Sequence, residues 1–516
     1  MGPSGDSRKK KAKLNIIVSL VTQVITLVCG MLVPWLIINK FGSEAYGATV
    51  SITQFLGYIA LLEGGIGGVA RAALYKPLAN RDKKTIFNII LELKKFFRLI
   101  AYFFIVYVLV LACSFHTLAH VEIFDWISTF LLVIVISISI FAQYFLGITY
   151  SILIQASQRI YITNIINMLT LLLNVITVFM LVYFGYSLII IKLASSCIFI
   201  LRPILMWRYI KIKFGFLSEE TKKKEENILK QKWIGLGQHI AYFLHSNTDI
   251  GILTIFSDLK FVAVYSIYNM IVFQIQNFAV SFSSGIESYF GDILAKKEYE
   301  ILHQVFNRYE LLLSIVSVIL FSVTTVMITP FIAIYTHHIN DISYDVFTFA
   351  LLLILSSFVT TLRVPYHNLI IAAGHFKETQ LVAYGEVAIN LFLSVILVYW
   401  LGLVGVAIGT LVAISFRFLF YVYYLSNKIF NRKKMYFFKR SFINSITFFF
   451  IIWIGLKFRN GFIIDGYFDW IICSCLVTTI SLLIVFLINY LFYKREIAEI
   501  IHQYVKGRID KTIGDK

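Results

Sequence analysis

The chain has 516 residues, of which 59% are hydrophobic and only 14% are charged, whereas about a quarter of the residues of a soluble domain are charged. Its net charge of +18 is not gathered into a basic soluble domain, which argues against a nucleic-acid partner. The five cysteines lie in apolar segments without metal-ligand spacing, so we expect neither a metal site nor a disulfide framework.

Fourteen apolar stretches are each long enough to cross a bilayer, for which a helix needs roughly 20 apolar residues. They lie at about 14–38, 45–70, 98–117, 126–148, 161–184, 186–206, 233–257, 261–289, 309–335, 346–371, 380–400, 403–425, 441–457 and 469–493. Of the 46 Lys and Arg residues, 38 fall in alternate gaps between these stretches, and the other gaps hold 4. Because cytoplasmic loops retain Lys and Arg, this pattern predicts a multi-pass membrane protein with both termini in the cytoplasm.

The two halves of the chain carry signs of an internal duplication. A shift of 216 residues aligns Asn174 with Asn390 and Leu181-Val182-Tyr183 with Leu397-Val398-Tyr399. Such repeats are common in transporters. We therefore predict an all-α integral membrane fold of two six-helix bundles plus two C-terminal helices. The expected divisions are an N-terminal lobe with its cytoplasmic linker at 1–225, a C-terminal lobe at 226–430, and two further helices with a cytoplasmic tail at 431–516.

Polar residues recur at helical spacing in several predicted spans. Polar groups are costly in hydrocarbon, so such a stripe faces either a neighbouring helix or a water-filled cavity. Both interpretations stay open for any single residue, but stripes in both halves favour a shared polar cleft. The residues expected to line it are Asn15, Ser19, Thr22, Asn174, Gln238, Tyr242, Asn269, Gln276 and Asn390.

Four basic residues fall inside predicted spans, where ionisable groups are functional candidates by default. Arg202 is close enough to a span end to snorkel, and Lys192 lies about two turns from one. Arg363 is followed by Pro365, which can kink the helix. A kinked helix that presents a guanidinium to a cleft would suit a phosphate group, which Arg binds bidentately. Arg363, Arg417 and Lys192 are therefore the predicted phosphate ligands.

Three acidic residues, Glu63, Asp249 and Glu386, also fall inside predicted spans. A buried carboxylate can take up a proton or a sodium ion, and it can equally form a salt bridge to one of the basic residues. Glu63 precedes the glycine-rich segment 64–68, which lacks the Lys-Ser/Thr of a nucleotide loop. These glycines are expected to allow close helix contact or local unwinding.

Several short motifs occur in a characteristic order along the chain. They are Lys40-Phe41-Gly42-Ser43-Glu44-Ala45-Tyr46-Gly47, Leu62-Glu63-Gly64-Gly65-Ile66-Gly67, Asn247-Thr248-Asp249-Ile250, and the glycines Gly402, Gly405 and Gly409. Over nearly its whole length the chain resembles the Wzx-type lipid-linked oligosaccharide flippases of the polysaccharide transporter family. That family shares a superfamily with multidrug and toxin extrusion pumps, and it often has Asp where Glu63 stands.

The resemblance implies two lobes around a central cavity and a cargo of undecaprenyl-pyrophosphate-linked repeat units for O-antigen, capsule or exopolysaccharide. Alternating access would move the cargo to the outer leaflet of the bacterial inner membrane. Arg363, Arg417 and Lys192 would then bind the pyrophosphate, and Asp249, Glu63 and Glu386 are candidates for coupling to a proton or a sodium ion. The expected partners are the glycan lipid, membrane lipids and glycan polymerase machinery, with no cofactor and no catalytic residues.

Two rival functions remain open. A multidrug and toxin extrusion antiporter would share the fold but prefer a cavity with carboxylates and few cations, whereas the spans here hold four cations and three carboxylates. A membrane glycan polymerase or ligase typically needs a large outer loop with Arg or His, and the longest predicted outer loops hold only about a dozen residues each.

Overall fold

The computed structural model describes residues 5–215, 236–283, 286–429 and 433–514, and these ranges contain helices and turns without any strand. The helices are α1 (Gly5–Gly57), α2 (Ile66–Asn80), α3 (Lys83–Leu118), α4 (Trp126–Ala142), α5 (Ile148–Ala156), α6 (Ile160–Tyr183), α7 (Leu188–Lys213), α8 (Leu236–Phe256), α9 (Leu259–Ser281), α10 (Ile286–Ala295), α11 (Tyr299–Tyr335), α12 (Phe347–Ala372), α13 (Phe376–Leu401), α14 (Leu403–Lys428), α15 (Met435–Arg459) and α16 (Tyr467–Gly514). A 3-10 turn at Tyr58–Glu63 and a π-helical turn at Gln143–Gly147 complete the chain order.

The described helices account for the predicted spans. Eleven segments are long and apolar enough to cross a membrane by length and composition. One of them contains the first two predicted spans, which meet in α1 at Gly42, where the backbone leaves the helical region with φ of 86°. Helices α8 and α9 supply the seventh and eighth. The prediction of an all-helical multi-pass membrane fold is therefore confirmed.

The second predicted span is interrupted where the sequence is rich in glycine. The 3-10 turn ends at Glu63, and Gly64 and Gly65 follow with φ of 58° and 76° before α2 begins. Residues without a Cβ adopt this left-handed region readily. The expected local unwinding is thus present, and it separates the membrane helix from the more polar α2.

The eighth span is shorter than predicted. The sequence pattern extends it to residue 289, but α9 ends at Ser281 and a separate short helix, α10, begins at Ile286. Residues 282 and 283 form a turn after α9, and the hydroxyl of Ser283 can compete for backbone groups at such a helix end. Glu287, which continues the polar pattern of this span, consequently belongs to α10.

The chain divides into two compact units, Met1–Ile267 and Tyr268–Lys516, and the division falls within α9. The predicted lobe boundaries at 225 and 430 lie in segments outside the described residues and stay a prediction. In the first unit α6 packs against α1 and α7, and α4 packs against α3 and α7. In the second, α14 packs against both α12 and α13, while α15 and α16 pack against α11.

An aromatic core in the second unit positions the end of α12. Tyr366 is fully buried and meets Phe306 edge to face with ring centroids 5.2 Å apart. Phe418 meets Tyr366 at 5.5 Å and Phe437 at 5.3 Å. Such aromatic pairs contribute about 0.5–1.5 kcal/mol each beyond their buried area. The core therefore holds α12, α14 and α15 in fixed register around the charged residues described next.

Candidate functional site

Three predicted site residues form one charged cluster in the second unit. Glu386 on α13 is fully buried and accepts hydrogen bonds on both carboxylate oxygens. Arg363 Nη1 of α12 lies 2.7 Å from Oε1, and Arg417 Nη1 of α14 lies 2.5 Å from Oε2. The Arg363 and Arg417 side chains are only 13% and 11% exposed. Two guanidiniums share one carboxylate, so the cluster carries one excess positive charge.

A neighbouring tyrosine ring fixes Arg417, and a proline follows Arg363. Arg417 Nε donates to the Tyr421 hydroxyl at 2.9 Å, and its guanidinium lies 5.2 Å from that ring's centroid. The His367 ring stacks on the same Tyr421 ring, with centroids 6.0 Å apart and an angle of 4° between the ring planes. Pro365 lies inside α12 and removes the backbone donor that would bond the carbonyl of Thr361. Arg363 therefore lies just before a weakened point of its helix.

A second charged cluster, which the sequence analysis missed, joins the last two helices of the second unit, α15 and α16, to α11. Arg440 on α15 donates from Nη1 to Glu310 on α11 and from Nη2 to Glu496 on α16, at 2.7 Å in both cases. The Tyr366 hydroxyl also donates to Glu310. Glu310 and Arg440 stand at the edges of predicted spans, which begin at 309 and 441, and neither was among the predicted site residues. They carry opposite charges at span edges that the basic-loop pattern places on the same side of the membrane. This was the sequence signal for their pairing.

The two basic site candidates of the first unit, Arg202 and Lys192, form no ion pair with a described residue. Arg202 on α7 donates from Nε to the Thr170 hydroxyl of α6 at 2.8 Å, and its guanidinium lies 4.2 Å from the Phe199 ring centroid. It is half-buried against α6, whereas the sequence predicted that it extends to the membrane surface. Lys192 is also half-buried, and among the described residues it forms no hydrogen bond or ion pair. Neither cation is neutralised by a described carboxylate.

The two acidic candidates of the first unit are held by tyrosines. Asp249 on α8 is buried and accepts from the buried Tyr265 hydroxyl at 2.9 Å. Glu63 accepts from the Tyr144 hydroxyl at 2.5 Å. A tyrosine hydroxyl is a neutral donor, so neither bond supplies a compensating charge. Glu386, by contrast, has two cations within hydrogen-bond distance.

The polar stripe of α1 contacts another helix. Asn15 accepts from the Tyr161 backbone N–H at 3.1 Å and donates to the Gln158 carbonyl at 3.2 Å. Ser19 accepts from Asn164 Nδ2 at 2.9 Å. These bonds fasten α1 to α6 and its preceding turn, so helix–helix bonding accounts for Asn15 and Ser19.

The remaining polar candidates fall into three groups. Thr22 bonds the carbonyl of Val18 within its own helix at 2.7 Å. Asn269 and Gln276 are half-buried on α9. The side chains of Gln238 and Tyr242 lie outside the described residues. These residues stay predicted cavity-lining positions.

Asn174 and Asn390, the residues aligned by the repeat, share an unusual feature. Both are buried, and in both the Oδ1 atom has no hydrogen-bond partner within the described part of the chain. Asn390 Nδ2 donates to the Thr410 hydroxyl at 2.8 Å. Each orphaned amide oxygen costs about 1–3 kcal/mol. The equivalent positions of the two repeats therefore keep the same unsatisfied acceptor.

Comparisons with known proteins identify the fold. No family model and no curated protein matches the sequence. Among solved structures, the lipid II flippase MurJ in an inward closed conformation superposes with a TM-score of 0.65 at 15% identity, covering 94% of this chain and 99% of that one. A multidrug resistance MATE family transporter of the MOP superfamily superposes in its inward-facing conformation with a TM-score of 0.60 at 16% identity, covering 80% and 98%. An outward-facing structure of that description gives 0.56 at 14% identity, covering 81% and 95%.

At these identities the similarity establishes the fold alone. The chain is a multi-pass membrane protein with the helical architecture of MATE transporters and of MurJ.

Proposed function

We propose that this protein is a flippase for undecaprenyl-pyrophosphate-linked oligosaccharides, of the kind used for O-antigen, capsule or exopolysaccharide. It would carry the glycan lipid by alternating access from the cytoplasmic to the outer leaflet of the bacterial inner membrane, where polymerase machinery receives it. The proposal combines the motif resemblance with a fold that MurJ shares. The observation that carries it is the two-to-one ratio of arginines to carboxylate at Glu386.

The excess charge of this cluster favours an anionic cargo. Arg363 and Arg417 each use one Nη atom on Glu386, and a guanidinium has five N–H donors in a planar fork. The remaining donors match phosphate oxygens, which Arg binds bidentately. Arg202 and Lys192 in the first unit add cations without carboxylates, and Lys192 stays a proposed pyrophosphate ligand. The polar residues Thr22, Asn269 and Gln276 are the proposed sugar contacts.

Glu386 is the best-supported candidate for ion coupling. A proton on Glu386 removes the negative charge that holds both arginines, so protonation and binding of an anion at Arg363 and Arg417 would promote each other. Asp249 and Glu63 are alternative proton or sodium sites, because each is a carboxylate inside a predicted span that accepts a hydrogen bond from a tyrosine hydroxyl. An ion gradient could thereby drive transport.

A multidrug antiporter is the second candidate, and one observation favours it. Asp249 is a buried carboxylate that accepts from the Tyr265 hydroxyl, and a buried carboxylate can take up a cation. The MATE structures show that the fold also accommodates a multidrug transporter. This function predicts that loss of Asp249 changes drug resistance, while loss of Arg363 and Arg417 does not.

Deletion of the gene in its host tests the proposal. We expect lipid-linked glycan to accumulate on the cytoplasmic leaflet and surface glycan to disappear. Arg363→Ala and Arg417→Ala should reach the membrane but fail to restore surface glycan, while Lys428→Ala, an exposed cation on α14, restores it. Full restoration by both arginine variants would reject the anion site, and a change in drug susceptibility with normal surface glycan would favour the antiporter.

A further inference from the structure

Two cations and an aromatic residue form one face of α3 at the end that the basic-loop pattern places in the cytoplasm. Lys94, Arg98 and Tyr102 follow each other at intervals of four residues, which stacks their side chains along a helix. Lys94 is half-buried, and Arg98 and Tyr102 are exposed.

Rings from the adjoining segment hold both cations in place. Lys94 Nζ lies 5.2 Å from the ring centroid of Tyr150 on α5, and the Arg98 guanidinium lies 5.2 Å from that of Phe145 in the π-helical turn. Tyr102 meets the same Phe145 ring edge to face at 6.5 Å. A cation over an aromatic ring keeps its full charge, so these contacts position the two cations without neutralising them.

The pair lacks an anion. Like charges four residues apart on a helix repel each other. Neither Lys94 nor Arg98 forms an ion pair with any described residue. Glu92 lies two residues before Lys94, a spacing at which helical side chains do not face each other. Glu63, on a segment packed against α3, is bonded to Tyr144. An anion located between Lys94 and Arg98 would relieve their repulsion.

The surface beyond the cations suits a lipid tail. Val106 and Val110 of α3 are both more than half exposed, and they continue the four-residue interval beyond Tyr102 toward the far end of the helix. The order along α3 is therefore cations, then an aromatic ring, then exposed aliphatic side chains. This is the order of phosphate, interface and acyl chain in one leaflet, and the cytoplasmic leaflet is the one that carries anionic lipids.

We infer that Lys94 and Arg98 bind the phosphodiester headgroup of an anionic phospholipid of the cytoplasmic leaflet, with an acyl chain along α3. This lipid site is separate from the Glu386 cluster, and it does not depend on which cargo the protein carries.

The experiment uses the full-length protein in lipid nanodiscs of phosphatidylcholine with increasing phosphatidylglycerol. Native mass spectrometry should show a retained phosphatidylglycerol on the wild type, and the unfolding temperature should rise with its content. Lys94→Gln and Arg98→Gln should each weaken that binding about fivefold. Lys94→Arg, which keeps the charge, should retain the lipid. Lys457→Gln provides the matched control, because Lys457 belongs to the other compact unit and also lies over a ring, 4.2 Å from the centroid of Trp453.

Two results would overturn the inference. Equal phosphatidylglycerol binding by the wild type, Lys94→Gln and Arg98→Gln would show that this surface does not select the lipid. Inorganic pyrophosphate added to phosphatidylcholine nanodiscs tests whether the ligand is a soluble phosphate compound instead of a lipid headgroup. If pyrophosphate stabilises the wild type through Lys94 and Arg98 and phosphatidylglycerol does not, the site binds a soluble phosphate and not a membrane lipid.

Discussion

The two units treat their buried cations differently. In the second unit, Arg363, Arg417 and Arg440 are all bonded to carboxylates. In the first, Arg202 is bonded to a threonine hydroxyl, and Lys192 has no partner among the described residues. Burying an uncompensated charge is costly. A cation without a carboxylate partner is therefore retained where a ligand can supply a negative charge or water can solvate it.

The internal repeat assigns this difference between the units to one pair of aligned positions. The shift of 216 residues that aligns Asn174 with Asn390 also aligns Thr170 with Glu386. In each unit an arginine from the next long helix bonds this position, Arg202 in the first and Arg417 in the second. The geometry is shared, but only the second unit supplies the counter-charge. The first unit thus presents a cation whose charge remains available to an anion.

The largest effect should come from removing the shared counter-charge. Glu386→Gln leaves Arg363 and Arg417 close together without an anion, and breaking such a buried pair costs about 3–5 kcal/mol. We expect a clear fall in the unfolding temperature of the purified protein. Glu378→Gln removes an exposed carboxylate from the same helix and should change it little. Equal unfolding temperatures for the two variants would mean that Glu386 is not the anchor of the arginine pair.

Removing the cation at the junction of the last two helices should have the next largest effect. Arg440→Met leaves Glu310 buried without its cation, and we expect a loss of about 3 kcal/mol. The more exposed Glu496 should contribute less, because water screens that pair. Hydrogen exchange should accelerate in α15 and α16, whereas Lys439→Met, at an exposed neighbouring position, leaves it unchanged. Acceleration spread evenly over the chain would count against a local role.

Copying the second unit's carboxylate into the first unit sharpens the comparison. Thr170→Glu should neutralise Arg202, and if that cation helps to bind the cargo, surface glycan should fall about tenfold or more. Thr170→Val removes only the hydroxyl and leaves the charge on Arg202, so it should retain transport. Membrane levels of both proteins must be compared, because position 170 is buried. Normal transport by Thr170→Glu would show that Arg202 has only a structural role.

The smallest effect concerns a first-unit carboxylate that caps a helix instead of neutralising a cation. Asp82 accepts from the Thr85 hydroxyl at 2.6 Å and its backbone N–H at 3.1 Å, and these bonds lower the pKa of Asp82. Because its pKa is lowered in the folded state, Asp82 stabilises the fold at pH values above the ordinary pKa of aspartate. This stabilisation is lost as the pH falls through the folded-state pKa. The hydrogen-exchange protection factor at the start of α3, which divides out the pH dependence of the intrinsic exchange rate, should therefore fall in acid. Asp82→Ala should show a low protection factor at neutral pH and no such dependence.

The sequence predicted the helices well because the length of an apolar stretch is a local property. It placed the helix beginnings less well, since the apolar criterion detects only the part in hydrocarbon. Helix α3 begins at Lys83, whereas the predicted span begins at 98, because the charged segment before the span continues the same helix. The break at Gly64 and Gly65 was predictable, because it needs only residues that adopt positive φ.

The candidate site was predictable residue by residue, but its pairing was not. Arg363, Glu386 and Arg417 each stand out as ions within an apolar span. Their contacts join positions 23 and 31 residues apart on three helices, and no local pattern encodes which helix faces which. For the same reason the stripe at Asn15 and Ser19 resembled a cavity lining, although both residues bond α6 and its preceding turn.

Helix α12 carries Arg363 and, three residues later, Tyr366, whose hydroxyl donates to Glu310, and Arg440 joins Glu310 to Glu496 of α16. Any displacement of Arg363 along its helix axis must therefore pull on Glu310 and, through Arg440, on Glu496. The C-terminal helix is thus connected to the arginine pair through a chain of side-chain bonds. A fluorophore attached to this helix would report movements of the arginine pair within the membrane-spanning region.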